Sequence, residues 1–178
     1  MALFVGFAAV AMPAQAAEPV LKTGPCPSQY SSQGRYCVPG PGAPDVMSKV
    51  GGCPGGWSSQ GTYCVAGASA RQARMKRGPC PSGWSSQGAY CVAGRSARDI
   101  ETRQGPCPSG WRTQGQYCVA GPRARQLIEK QGACPSGWSS AGAYCLAGQQ
   151  AREAVLKHGA CPQGWASQGR YCVRVSRD

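Results

Sequence analysis

The stretch CPSGWSSQGAYCV, residues 80–92, occurs in related form six times, and each copy begins 27 residues after the previous one. These copies hold all twelve cysteines, all five tryptophans and all seven tyrosines of the 178-residue chain. A constant period of this size is typical of tandem-repeat proteins. The sequence therefore predicts a lead-in at residues 17–25 and six repeats, the last of them only a hairpin. The repeats are 26–52, 53–79, 80–106, 107–133, 134–160 and 161–178.

Each copy of the stretch predicts a β-hairpin. In the third copy, residues 85–89 fit a three-residue loop in which Gly88 takes a left-handed backbone at no steric cost. That register places Trp84 opposite Tyr90, and cross-strand aromatic pairs of this kind stabilise small sheets. The same pairing is predicted in the other copies, with Tyr30 in the place of tryptophan in the first.

Proline and glycine at the start of the stretch turn the chain, so that Cys80 can fold back towards Cys91. A bond between them closes a loop of twelve residues. The chain-entropy model gives such a loop about 3 kcal/mol. Because an isolated two-stranded hairpin is marginally stable in water, this contribution decides whether the hairpin folds.

The pattern Cys-Pro-x-Gly-Trp/Tyr…Gly-x-Tyr-Cys resembles the disulfide-closed minor hairpin of EGF-like modules and the hairpins of short secreted bacterial Cys-repeat proteins. The resemblance covers about half of each repeat, and the other four cysteines and the calcium-binding acids of an EGF module are missing. It implies an extracellular setting and pairing within each repeat, but no ligand. The implied disulfides are Cys26–Cys37, Cys53–Cys64, Cys80–Cys91, Cys107–Cys118, Cys134–Cys145 and Cys161–Cys172.

Residues 1–16, MALFVGFAAVAMPAQA, are apolar and end in a small-x-small pattern, which predicts a signal peptide cut after Ala16. No lysine or arginine precedes the apolar run, so a retained N-terminal anchor in contact with the membrane remains the alternative. Sixteen residues are fewer than the roughly 20 of a spanning helix. The leader and the even number of cysteines predict an exported protein, periplasmic, on the cell surface or extracellular.

The linkers between the hairpins predict a short α-helix. In residues 123–130, Ala124, Leu127 and Ile128 have i, i+3, i+4 spacing, a base lies in the last turn and a glycine follows. Two helical turns are unstable alone, so the helix must pack on a hairpin. The predicted fold is a small disulfide-rich tandem repeat of hairpin-plus-helix units. Constant linker length favours a stacked, solenoid-like array, with independent beads as the alternative.

Catalysis and metal binding are disfavoured by the sequence. Most of the seven acids are scattered singly, and Asp99 and Glu101, two apart on a predicted helix, do not face each other. No serine or cysteine has a base beside it. The one histidine, His158, lies at a predicted helix end. Ten or fifteen residues separate successive cysteines, whereas structural zinc sites bring two ligands together as Cys-x2–4-Cys. We therefore expect no enzyme activity, no metal and no cofactor.

Two repeating surface features remain. Nineteen Lys and Arg residues against seven Asp and Glu give a net charge of +12, and recurrent bases predict a basic ladder that binds a partner, unless they are ordinary solvated positions. The ladder consists of Arg71, Arg98, Arg125, Arg152, Lys76, Arg103, Lys130 and Lys157. A second, aromatic ladder could stack on sugars or could form the small hydrophobic cores. Its members are Trp57, Trp84, Trp111, Trp138 and Trp165.

The sequence thus predicts a non-enzymatic exported scaffold that presents a rigid basic surface to another cell-envelope component, as an extrinsic subunit, a surface layer or a filament element. The expected partner is an acidic protein or an anionic envelope polymer. The alternative function is a binding module for an anionic glycan or other polyanion. Nucleic acid fits the charge, but export argues against it. The oligomeric state stays open.

Overall fold

The structure is a computed structural model that describes residues 17–175. In that range it contains eighteen short strands in six separate three-stranded antiparallel sheets. In the third sheet the order is β7–β9–β8, where β7 is Ala73–Met75, β8 is Trp84–Gln87 and β9 is Tyr90–Ala93. We call these the linker strand, the leading strand and the central strand. Each sheet with its loops is one unit.

The other five units repeat this order. Their linker strands are β1 (Val20–Leu21), β4 (Val46–Ser48), β10 (Ile100–Thr102), β13 (Leu127–Glu129) and β16 (Ala154–Leu156). Their leading strands are β2 (Tyr30–Gln33), β5 (Trp57–Gln60), β11 (Trp111–Gln114), β14 (Trp138–Ala141) and β17 (Trp165–Gln168). Their central strands are β3 (Tyr36–Pro39), β6 (Tyr63–Ala66), β12 (Tyr117–Ala120), β15 (Tyr144–Ala147) and β18 (Tyr171–Arg174). Every hairpin is thus grouped with the linker strand that precedes it, and residues 17–25 supply β1 to the first unit.

The hairpin turn is shorter than the sequence predicted. Gln87 pairs with Tyr90, so the loop consists of Gly88 and Ala89 alone, and Trp84 lies opposite Ala93. Gly88 has φ of 56°, whereas Ala89 has no positive φ, which is the pattern of a type II′ turn with glycine first. The predicted three-residue loop and Trp–Tyr pair are therefore wrong. The two-residue turn is favoured because its backbone twist matches that of the flanking strands.

Each unit is closed by one disulfide within its hairpin, in the pairing that the resemblance implied. Cys91 is fully buried in the middle of the central strand, between Tyr90 and Val92, which are 0% and 3% exposed. The six bonds are Cys26–Cys37, Cys53–Cys64, Cys80–Cys91, Cys107–Cys118, Cys134–Cys145 and Cys161–Cys172.

The predicted linker helices are wrong, since no helix occurs in residues 17–175. In the linker at 123–130, Ala124 lies in a turn and only Leu127 and Ile128 belong to a strand. The backbone packs tightly there: a Cβ built on Gly110 would lie 3.2 Å from the Ala124 Cα, which favours glycine at position 110. The i, i+3 spacing therefore reflects one turn residue and one buried strand residue, not a helical face.

Neighbouring units pack face to face through one buried tyrosine. Tyr117 of the fourth unit is 1% exposed, and its hydroxyl accepts the backbone N–H of Arg77 in the third unit at 2.7 Å. The same oxygen lies 3.6 Å from the Cys91 Sγ. Trp84 and Cys91 on one side and Ile100 on the other complete this apolar seam. The corresponding tyrosines of the other seams are Tyr63, Tyr90, Tyr144 and Tyr171.

The first unit packs against the sixth in the same way. The Tyr36 hydroxyl accepts the His158 N–H at 2.7 Å and donates to the Leu156 carbonyl oxygen at 3.2 Å. The Gln163 N–H donates to the Gln33 Oε1 at 2.8 Å, as the corresponding groups do at four of the other five seams. The six units therefore form a closed ring, and the predicted solenoid-like form of the array is wrong. Closing a repeat radially removes the exposed ends that an open stack would leave.

Candidate functional site

The ring has one strongly basic face, which we call the turn face because the six hairpin turns lie there. In the third unit, Lys76 follows the linker strand, and its N–H donates to the carbonyl oxygen of Ala89 in the turn at 2.8 Å. Its Nζ donates to the Ser86 Oγ on the leading strand at 2.8 Å. Every unit has a base at this position, and in five of them it is a lysine held by a serine. The six bases are Lys22, Lys49, Lys76, Arg103, Lys130 and Lys157.

Further positive charge surrounds these six bases. Arg35 and Arg170 occupy the second turn position of their units, and Arg77 follows Lys76. Among the described acidic residues, Glu129 is the one that lies at this end of a linker strand. The turn face is therefore an almost uniformly basic rim supported by rigid backbone.

The other half of the predicted basic ladder lies at the opposite end of each unit. Arg71 precedes its linker strand and Lys76 follows it. Four residues lie between them, so the two Cα atoms are five steps of about 3.3 Å apart along the extended chain. The carbonyl oxygens of the four arginines Arg71, Arg98, Arg125 and Arg152 accept the indole N–H groups of the tryptophans at 2.9–3.0 Å. A helix would have brought both sets to one side, whereas the strand places them on two different faces.

The face opposite the turns carries mixed charge. Asp45, Asp99 and Glu153 come immediately before their linker strands, next to the positions of the four arginines, and Glu18 occupies the equivalent position in the first unit. Because acids and bases alternate there, this face has no electrostatic potential of uniform sign that would attract a charged polymer. The turn face is therefore the better candidate for binding anions.

The acids also locate the ring axis. Burial raises the pKa of Glu18, the carboxylate of Glu153 raises it further, and the Arg74 guanidinium opposes the rise. Burial likewise raises the pKa of Glu101, although Arg74 lies 3.7 Å from its carboxylate and lowers it. Glu18, Arg74 and Glu101 belong to the first, third and fourth units. Since they influence one another, the linker strands converge around the axis.

These two carboxyls predict a pH-dependent stability. Because their pKa values are raised in the folded state above the ordinary value of 4.5, the folded ring binds more protons than the unfolded chain between pH 4.5 and the raised values. Their contribution is most favourable below 4.5 and is lost as pH rises through the raised values. Glu18→Gln with Glu101→Gln should flatten the fall of the melting temperature between pH 4 and pH 7.

The matched control for this experiment is Glu129→Gln at the end of a linker strand. It removes the same kind of charge without touching the axis, so its melting curve should keep the pH slope of the parent. Thermal melts followed by circular dichroism at several pH values make the comparison. A double variant that keeps the parent's slope would contradict the assignment of this slope to the axial carboxyls.

The aromatic ladder is placed largely in the seams. Trp84 and Trp138 are each 7% exposed and pack against the tyrosine of the following unit, while Trp57, Trp111 and Trp165 are half-buried. These contacts, together with the indole-to-carbonyl hydrogen bonds, favour a structural role in the small hydrophobic cores over sugar binding for most of these tryptophans.

One seam differs from the others because it holds two arginines. A cleft of about 290 Å³ between the third and fourth units is lined by Arg98 and Arg112, with Gln114, Ser82 and Ser96. Sequence reasoning missed Arg112 as a site residue, although the signal was visible. The other five units have serine or alanine there: Ser31, Ser58, Ser85, Ser139 and Ala166.

The cysteines and the histidine complete the description of the candidate residues. All twelve cysteines are in disulfides. Between residues 17 and 175 no three His, Cys, Asp or Glu residues are grouped as metal ligands, and no helix there is long and apolar enough to cross a membrane. The His158 side chain is exposed, and its backbone N–H donates to the Tyr36 hydroxyl across the seam between the sixth and first units. The predicted signal peptide or anchor at 1–16 lies outside the described residues.

No protein-family model, curated protein or solved structure matches this chain. Six intrachain disulfides nevertheless indicate an oxidising, exported or extracellular environment.

Proposed function

We propose that this protein is a non-enzymatic, exported ring scaffold that presents its basic turn face to an acidic protein or anionic polymer of the cell envelope. The observation that carries the proposal is the recurrence of a base at one position in all six units of a closed ring. A flexible basic tail would attract anions equally well, but it would not hold six charges at fixed spacing.

Rigidity supports a scaffold role. Each unit is stapled by its own disulfide, and each seam adds a buried tyrosine with satisfied hydrogen bonds. In five of the six units, the lysine Nζ donates a hydrogen bond to a serine hydroxyl on the leading strand of the same sheet. Lys49, for example, donates to Ser59 at 2.8 Å. A pre-ordered surface loses little side-chain entropy on binding, which favours contact with an extended or repeating partner.

The second candidate function is a binding module for an anionic glycan. The cleft with Arg98 and Arg112 favours it, because two guanidinium groups converge on a small concave site at one seam. The two candidates use different surfaces, so both can be tested on one set of variants.

The test neutralises part of the turn face. Lys49→Gln, Lys76→Gln and Lys130→Gln in one variant should weaken retention on heparin, used as a model polyanion, and on anionic vesicles of phosphatidylglycerol. The loss should be at least about tenfold at low salt, because contacts made through several charges act together. The fold should survive, because exposed charges of this kind contribute well under about 1 kcal/mol each.

The matched control is Arg71→Gln, Arg125→Gln and Arg152→Gln, which removes the same charge from the opposite face. It should be retained nearly as well as the parent. Equal weakening of the two triple variants would mean that only net charge matters, and the proposal of a specialised turn face would be wrong.

A further inference from the structure

The cleft between the third and fourth units joins a second depression around the seam. The second depression, of about 370 Å³, is bordered by Trp111 and Arg123 and shares Arg112 and Pro122 with the first. Trp111 is half-buried, so part of its indole remains accessible at this border. Together the two depressions form a groove that bends around the edge of strand β11, with Arg112 on the side of the third unit and Trp111 on the side of the fifth.

None of the described residues that line this groove is acidic. Arg98 and Arg112 therefore face a concave site without a carboxylate partner, in contrast to Arg74 and Arg174, which lie beside Glu101 and Glu153. Planar guanidinium groups bind carboxylates through paired hydrogen bonds, and a concave surface strengthens such contacts by excluding water. Gln114 is already held, since its Oε1 accepts the Ser82 N–H at 3.0 Å.

We propose that this groove binds an acidic oligosaccharide, with the carboxylate of a uronic acid between Arg98 and Arg112 and a neighbouring sugar ring against Trp111. The apolar C–H face of a pyranose can pack on the exposed part of the indole, while the arginines select the charge. This inference deepens the second candidate function and does not require the turn face to bind anything.

The chain offers a natural comparison at the neighbouring seam between the second and third units. There Arg71 takes the place of Arg98, Gln87 that of Gln114 and Ser69 that of Ser96, and the Gly55 N–H donates to the Gln87 Oε1 at 2.9 Å. Ser85 stands where Arg112 does, and it is exposed. Arginine in place of this one serine would supply the missing second guanidinium.

Isothermal titration calorimetry of the full chain with a short oligogalacturonate tests the proposal. The parent should bind at one site, and the methyl-esterified oligosaccharide should bind at least about tenfold more weakly because it lacks the charge. Arg112→Ser introduces the residue that four other units carry, so the fold should be retained, and the affinity should fall at least about tenfold. Ser85→Arg should add a second site and raise the stoichiometry to about two. This site should bind more weakly, because Trp84 takes the place of Trp111 there and is only 7% exposed.

Two controls separate this result from the turn-face proposal. Arg95→Gln removes an exposed charge that lines neither depression, and it should bind like the parent. The triple lysine variant should also keep its affinity for the oligogalacturonate. Unchanged binding by Arg112→Ser, equal binding of the methyl ester, or an unchanged stoichiometry in Ser85→Arg would each overturn the assignment.

Discussion

Tyr36→Ala should open the ring and lower the free energy of unfolding by about 3–5 kcal/mol, the usual cost of removing a buried aromatic side chain. Tyr36 is 2% exposed, and its hydroxyl satisfies the His158 N–H and the Leu156 carbonyl oxygen across the closing seam. The polypeptide does not run through this seam. Once the tyrosine is gone, only weaker contacts hold the first and sixth units together. Small-angle scattering should show a larger radius of gyration, and denaturant titration should show the lost stability.

Tyr117→Ala is the matched control for the closing seam. It removes the same side chain from the seam between the third and fourth units, where the chain passes directly from one unit to the next. Its stability should fall by a similar amount, but the native radius should change less, because the linker keeps the two units close. Equal radii for the parent and for Tyr36→Ala would contradict closure through this tyrosine.

Removal of one disulfide should have the next largest effect. Cys80→Ala with Cys91→Ala deletes a cross-link over 11 residues and should cost about 3 kcal/mol by loop entropy. It also removes a fully buried sulfur that lies 3.6 Å from the Tyr117 hydroxyl, so the seam to the fourth unit loses packing as well. Limited proteolysis should therefore cut first within residues 80–92, and the melting temperature should fall.

Reducing agent provides the internal comparison for this prediction. Without reductant, the parent should be clearly more stable than the double variant. With the disulfides fully reduced, the difference should shrink to the packing contribution of the buried sulfur. A difference that is unchanged by reduction would show that the cross-link itself contributes little.

The hairpins were accessible from the sequence because their determinants are local. Two cysteines, a turn glycine and aromatic residues lie within thirteen residues, and their chemistry permits few arrangements. The loop length was missed because a left-handed glycine fits both a three-residue loop and a type II′ turn. Gly88 therefore indicated the turn but did not fix the register.

The linkers were wrongly predicted to be helices because two separate physical causes produce the same i, i+3 spacing of apolar residues that a helix would. Ala97 is apolar because it packs against the seam that contains Trp84, and Ile100 is apolar because it is buried in a strand. A further signal was present in the first residues of the described chain. Glu18, Lys22 and Gly24 stand at the same distances before Cys26 as an acid, a lysine and a glycine do before Cys53. This match shows that a linker precedes every hairpin, including the first.

The candidate surfaces were only partly predictable. The recurrence of bases is visible in the sequence, but whether they share a face depends on whether the linker is a helix or a strand. Lys22 joined the set only once the strands of the first unit were known. The groove at Arg112 required the packing of two units, which no local pattern describes.

The closing seam has a consequence for how the chain is completed. Each disulfide joins residues 11 apart, so every unit can oxidise soon after it emerges, whereas Tyr36 must wait for partners 120–136 residues later. At about 5–20 residues per second, that delay is on the order of ten seconds. Throughout this interval the first unit exposes an apolar face that fits the sixth unit of any molecule. Crowded synthesis should therefore favour chains that exchange their ends, and dilution should favour single rings.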